Sequence, residues 1–149
     1  MLDERRMSSL LRQEFVPCGS LTLEDLETTV LQCCQAAGVP AAAKKDSVKA
    51  GLLSKDPCLV FYNPQNLDYH TIVMMIRTVN GTRMFSLYSA GTAAALHIGG
   101  GLLNVEHQKN KLSGVLKSGK QKLAEEEDYN NRAFQCIIKA LEIYGFSLT

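Results

Sequence analysis

The clearest pattern in the chain is a pair of β-type segments on either side of Asn80 and Gly81. Residues 69–79 and 82–89 are rich in β-branched, aromatic and long apolar side chains. A type I′ turn needs φ > 0 at both central positions, and Asn-Gly adopts it with little steric strain. The pattern therefore predicts a two-residue hairpin. Its register pairs Val79 with Thr82, Arg77 with Met84, Met75 with Ser86, and Val73 with Tyr88.

The two faces of this hairpin differ in polarity. One face is apolar and predicts the core, with Ile72, Met74, Ile76, Phe85 and Leu87. The other face mixes apolar and polar side chains. Such a face is either covered by a helix of the same chain or used as an interface. Its candidate interface residues are Met75, Arg77, Met84 and Tyr88.

Apolar residues recur at helical spacing in four other parts of the chain. The clearest helix is capped by Thr22, with Asp25 three residues on, and ends at Gly38 before a proline. Residues 2–15, 41–53 and 128–144 are also predicted to be helical. Residues 58–62 form a short apolar run, which predicts a strand inside the sheet.

These elements predict one α+β domain over residues 1–149. A three-stranded antiparallel sheet centred on the Asn80-Gly81 hairpin is flanked by N-terminal and C-terminal helices. The chain has 149 residues, of which 46% are hydrophobic and 21% charged, as is typical of soluble globular proteins. A domain of this size can bury a sizeable core.

Charge and hydropathy narrow the classes of partner. The net charge is +1, which gives no global field for nucleic acid. A lysine-bearing segment after Gly38 is compatible with a helix-turn-helix unit, but it offers few side chains for reading bases. The chain has no apolar run long enough to cross a bilayer, and its beginning does not read as a signal peptide. We therefore expect no membrane partner and disfavour nucleic acid.

Five cysteines are scattered along the chain, at positions 18, 33, 34, 58 and 136. Their odd number and mostly apolar settings favour reduced thiols over a disulfide framework. A reducing compartment follows from this interpretation, and the cytoplasm is the default expectation.

Small residues after the hairpin form the one candidate ligand site. Backbone N–H groups in glycine-rich segments can approach an anion closely. The residues concerned are Ser89, Gly91, Thr92, His97, Gly99, Gly100 and Gly101. No lysine follows the glycines as a P-loop requires. A flexible hinge between the sheet and the C-terminal helices explains the same composition.

No catalytic or metal-binding motif is visible. The three histidines lack metal-ligand spacing, and no serine or cysteine stands in a nucleophile elbow. We therefore expect no cofactor and name no catalytic residue, which favours a non-enzymatic protein. The first hypothesis is a small cytoplasmic protein that binds a protein partner, or itself as a homodimer, through the mixed sheet face. The alternative is a small-molecule or anion-binding domain, and possible enzyme, that uses the segment from Ser89 to Gly101.

Overall fold

The computed structural model describes residues 2–14, 22–50, 54–79, 82–96, 98 and 119–144. Within them the chain forms a six-stranded mixed sheet and two α-helices, which confirms the α+β class. In chain order the elements are β1 (Leu2–Asp3), a 3₁₀ turn (Glu4–Arg6), β2 (Ser8–Glu14), α1 (Leu23–Ala37), β3 (Ala42–Ala50), β4 (Ser54–Tyr62), β5 (His70–Val79), β6 (Thr82–Thr92) and α2 (Gly119–Ile143).

The sheet has the strand order β1-β3-β4-β5-β6-β2, so β1 and β2 lie at its opposite edges. Only β1 and β3 pair in parallel. Six flat strands would place the two outermost strands about 24 Å apart. The chain from Asp3 to Ser8 reaches at most about 18 Å. The sheet therefore curls until its two edges approach one another.

Each face of the curled sheet buries its own apolar cluster. The helix-covered face joins α1 and α2 to Leu59, Phe61, Ile72, Met74, Phe85 and Leu87. The inner face holds a second cluster, whose described members come from strands and from loops rather than from either helix: Leu2, Val48, Cys58, Val60, Leu67, Val73, Met75, Tyr88, Ala90, Ala93 and Ile98. Residues from β1 and β6 meet in this cluster because the sheet curls around it.

The predicted hairpin register is confirmed at every pair that was named. Val79 pairs with Thr82 and Met75 with Ser86, and the other two predicted pairs are present as well. Asn80 and Gly81 lie outside the described residues. The apolar face of the hairpin packs against the helices, as its composition predicts.

The prediction of a three-stranded sheet is wrong, because β1, β2 and β3 extend it to six strands. Residues 41–53 were expected to be helical, yet β3 occupies Ala42–Ala50 and pairs along its whole length with β4. In β3, Val48 is buried, whereas Lys44 and Lys45 are exposed. β3 lies next to the edge strand β1 and buries few side chains, so it shows little period-two alternation, and pairing with β4 overrides a weak helical pattern.

The helix expected over residues 2–15 is also wrong. The segment forms β1, the 3₁₀ turn and β2 instead. β2 pairs with β6 from Ser8 to Glu14 and so satisfies backbone groups along an edge that would otherwise be open. Backbone hydrogen bonds to β6 stabilise the strand conformation of this segment, although its amphipathic pattern indicates a helix.

α1 forms where its capping residues predict it. The Asp25 N–H donates to Thr22 Oγ1 at 3.1 Å, and the Thr22 N–H donates to Asp25 Oδ2 at 3.3 Å. This reciprocal capping box satisfies two helix N-terminal donors. At the other end Gly38 adopts φ 70°, a left-handed conformation that glycine accepts without strain.

The Thr22→Ala variant is expected to lose about 1 kcal/mol of the free energy of unfolding, because it removes the side chain that accepts from Asp25. Urea denaturation of both proteins measures the difference. Thr28→Ala is the matched control, since Thr28 is exposed on the same helix and donates only to the carbonyl of Glu24. Alanine is the better helix former there, so Thr28→Ala should be neutral or stabilising. An equal loss in the two variants would contradict the capping role.

α2 extends further than the predicted residues 128–144, because it begins at Gly119. Two tyrosines tie it to the rest of the fold. Tyr129 donates its hydroxyl to the carbonyl of Pro40 at 2.7 Å, and the Tyr144 hydroxyl lies 2.7 Å from Thr29 Oγ1. In the described part of the chain, neither helix combines the length and apolar content that crossing a bilayer needs.

Candidate functional site

A cleft of about 270 Å³ lies where α2 crosses the start of β5 and the end of β6. Ser89 pairs with Ile72, so both side chains lie on the helix-covered face. His70 is two residues before Ile72 and lies on the same side of the strand. α2 supplies the opposite wall with Asn130, Asn131 and Phe134.

Two β-bulges border this cleft. Between β2 and β6, Leu10 is an extra residue, and its side chain is 47% exposed while it lines the cleft. Between β5 and β6 the register shifts between His70 and Ile72, where three steps on β6 oppose two on β5. The carbonyl of Gly91 at this second bulge accepts a hydrogen bond from Thr71 Oγ1 at 2.9 Å. Bulges re-aim side chains and are frequent beside binding sites.

His70 is held in place by Glu126. Glu126 Oε1 accepts the backbone N–H of His70 at 2.7 Å and lies 2.8 Å from its Nδ1. A carboxylate oxygen accepts in this contact, so Nδ1 is the donor and Nε2 is the ring nitrogen that remains for a ligand. The Glu126 side chain is 16% exposed, whereas that of His70 is 54% exposed. The geometry therefore fixes an imidazole at the mouth of the cleft.

Asn130 places a buried acceptor beside the cleft. Its Oδ1 is shielded from solvent and has no hydrogen-bond partner among the described atoms. A buried acceptor of this kind costs about 1–3 kcal/mol. Such groups are rare, and their presence beside a cavity often marks a functional position.

The lining of the cleft combines apolar and polar side chains. Leu10, Ile72 and Phe134 supply the apolar surface, and His70, Ser89, Asn130 and Asn131 can make hydrogen bonds. No lysine or arginine is among the described residues that line it.

The structure describes three residues of the predicted ligand site, all near the end of β6. Ser89 lines the cleft, but Gly91 and Thr92 do not. The Thr92 hydroxyl accepts the N–H of Ala95 at 3.1 Å, and the Gly91 carbonyl is engaged by Thr71 as described above. The remaining predicted residues, His97, Gly99, Gly100 and Gly101, lie outside the described part of the chain.

The structure describes the side chains of three of the four candidate interface residues. Met75 and Tyr88 are buried in the inner cluster of this chain. The Arg77 side chain is 15% exposed, with Nε 3.6 Å from Asp56 Oδ2 and Nη2 3.4 Å from Met75 Sδ. The side chain of Met84 lies outside the described part of the structure.

Sequence reasoning missed Glu126, Asn130 and Leu10. His70 and Glu126 stand 56 positions apart, and no local motif connects them. Glu126 belongs to an acidic run that suits the beginning of a helix, so its charge had another explanation. The spacing of Glu126, Asn130 and Phe134, four residues each, does place them on one helix face. That spacing is the one signal that the sequence offered.

The comparisons with known proteins add no relative. No protein family model, no curated protein and no solved structure matches this chain. Among the residues that the structure describes, no three His, Cys, Asp or Glu side chains are grouped to hold a metal ion. The functional argument therefore stands on the cleft itself.

Proposed function

We propose that this protein binds a small uncharged molecule in the cleft between α2 and the start of β5. The observation that carries the proposal is the His70 imidazole, oriented by Glu126 at the mouth of a cleft that combines apolar and polar side chains. Binding sites are typically concave and mostly apolar, with a small number of fixed polar groups. The cleft is slightly smaller than the range of about 300–1,000 Å³ that holds drug-sized ligands, so the ligand is small.

The polar groups define the chemistry of the ligand. In the neutral imidazole His70 Nε2 is an acceptor, and the hydroxyl of Ser89 can donate or accept. Phe134 and Leu10 offer surface for a flat apolar part of the ligand. A molecule with a neutral hydrogen-bonding head, such as an amide, and an aromatic or aliphatic body fits this arrangement.

The arrangement supports binding better than catalysis. A nucleophilic mechanism needs a hydrogen bond between the nucleophile and its base. In the described part of the chain, no hydrogen bond joins Ser89 to His70, whose ring contacts Glu126. Glu126 therefore orients His70, but among the described residues Ser89 is not hydrogen-bonded to His70 as a nucleophile would be.

A matched pair of probes tests this function. Benzamide and benzoate have nearly the same shape, but benzoate carries a negative charge. We expect benzamide to shift the NMR signals of His70, Ser89 and Asn130 saturably, with Kd on the order of 1 mM. Benzoate should cause no saturable shift, because no described cation lines the cleft. The His70→Ala variant should weaken benzamide binding about tenfold, the loss expected for one hydrogen bond.

Glu127→Gln serves as the control, since Glu127 is exposed on α2 and does not line the cleft. It should bind benzamide as the wild type does. Equal binding of benzoate and benzamide would contradict the proposed selectivity. If His70→Ala binds benzamide as tightly as the wild type, His70 does not contact the ligand and the proposal is wrong.

The first hypothesis, partner binding or self-association through Met75, Arg77, Met84 and Tyr88, stays a prediction. The burial of Met75 and Tyr88 within a single chain leaves less of this face available to a partner. The cleft is consequently the better-supported site.

A further inference from the structure

A second cavity lies between the C-terminal part of α1 and the middle of α2. It has a volume of about 420 Å³ and forms a groove along the outer side of the helix pair. Ala36 and Ala37 line it from α1, and Val39 and Cys136 are buried beside it. The small side chains of Ala36 and Ala37 do not fill the space between the two helices, so the cavity stays open. The groove therefore presents an apolar surface between two rigid helices.

Two cations stand along the α2 side of this groove. Arg132 and Lys139 both line it and are exposed. They are seven residues apart on one helix, which places them on the same face about 10 Å from each other. Neither takes part in an ion pair among the described residues, and no described aspartate or glutamate lines the groove. The groove is thus apolar with a locally positive border.

We propose that this groove docks a short amphipathic helix of a partner protein that carries two acidic residues seven positions apart. Apolar side chains of the partner helix would fill the space beside Ala36 and Ala37. Its two carboxylates would pair with Arg132 and Lys139, whose separation matches two helical turns. Laying an apolar helix face into a groove is a recurrent mode of peptide recognition. The charges set orientation and partner choice, since like-charged partners are repelled.

A peptide fits these observations better than a nucleic acid does. Nucleic acid is bound by extended basic surfaces that neutralise several phosphates. This groove offers two cations and an apolar interior, which a phosphate backbone would not fill. It is also distinct from the cleft proposed above, although Asn131 borders both cavities.

Fluorescence anisotropy with a labelled synthetic helix of about 14 residues tests the proposal. The peptide carries leucines on one face and two glutamates one heptad apart, and a matched peptide has lysines in place of those glutamates. We expect the wild-type protein to bind the glutamate peptide at least tenfold more tightly than the lysine peptide. The Arg132→Glu and Lys139→Glu double variant should reverse this preference.

The Lys120→Glu and Lys122→Glu double variant is the matched control. Both lysines are exposed on α2 and lie outside the groove, so the same change in net charge should leave the preference intact. No binding of the glutamate peptide would overturn the proposal, and so would equal effects of the two double variants. Sedimentation of the free protein supplies a second test. A dimer that Arg132→Glu dissociates would assign the groove to a second copy and also overturn the proposal.

Discussion

The Met75→Ala variant is expected to lose about 2–5 kcal/mol of the free energy of unfolding, the range for removing a large apolar side chain from a core. Met75 is fully buried on β5 in the inner cluster. Its Sδ also accepts a hydrogen bond from Arg77 Nη2 at 3.4 Å, so truncation to alanine removes that contact from Arg77. The sheet curls around this position, and its paired strands resist collapse into the space that alanine leaves.

Denaturation at several protein concentrations checks this result. A residue buried within one chain gives a loss that does not depend on concentration, whereas an interface residue makes stability concentration-dependent. Met75→Leu is the control, because it conserves volume and should cost less than about 1.5 kcal/mol. A variant Met75→Ala that keeps full monomer stability but changes its oligomeric state would favour the predicted interface over the inner core.

Local signals explain the parts of the fold that the sequence predicts. The capping pair Thr22 and Asp25 and the left-handed Gly38 define both ends of α1 within a few residues. The Asn-Gly signal predicts the register of β5 and β6 in the same way, and the described pairs from Val79 and Thr82 onward match it. Each of these signals acts over fewer than about five residues and needs no knowledge of the rest of the chain.

The strands that the sequence does not predict lie at or near the edges of the sheet. β3 has one neighbour along most of its length, and β1 covers it only at Val48 and Lys49. Its exposed lysines mask the period-two pattern that a buried strand shows. β1 and β2 depend on the curl of the sheet, which brings the two edges within reach of one short segment. Curl is a property of the whole sheet, and local propensity does not report it.

The candidate site is harder to predict than the fold because it joins distant segments. His70 lies at the start of a strand, Glu126 on the last helix, and Leu10 in an edge bulge. Each residue has an ordinary explanation when considered alone. Ser89 was predicted for its neighbouring glycines and lines the cleft for another reason, namely its pairing with Ile72. Only the tertiary fold shows which polar groups converge.

Burial also changes the pKa values of two cysteine thiols. Burial raises the pKa of Cys34 from 9.0 to about 12, and the neighbouring Cys136 adds to the effect. Burial likewise raises the pKa of Cys58 to about 12, with the charge of Asp46 as the next cause. The thiolate is the reactive form, so both thiols are poor nucleophiles at neutral pH in the folded protein. These positions stabilise the core as small apolar side chains.

The free energy of unfolding should therefore fall steeply above pH 9. Below the ordinary pKa of 9.0 both thiols are protonated in the folded and the unfolded chain, so they contribute no pH dependence. Between pH 9 and about 12 the unfolded chain releases these protons while the folded chain keeps them, which favours unfolding. Each thiol contributes about 1.4 kcal/mol per pH unit, or roughly 3 kcal/mol for the two together. Burial also raises the pKa of Tyr129, which adds a loss of the same sign above pH 10.

Urea denaturation at a series of pH values, with a phosphine reductant present, measures this slope. Two pH units cost about 6 kcal/mol, which is comparable with the whole stability of a typical domain. Cys34→Ala should make the slope clearly shallower, because one of the two thiols no longer titrates. Val30→Ala is the matched control on the same buried side of α1, since it lowers stability at every pH without changing the slope. A wild-type slope that Cys34→Ala leaves unchanged would show that the buried thiols do not govern alkaline unfolding. A shallower slope in Cys34→Ala would show that the packing of α1 against α2 depends on the protonation of Cys34.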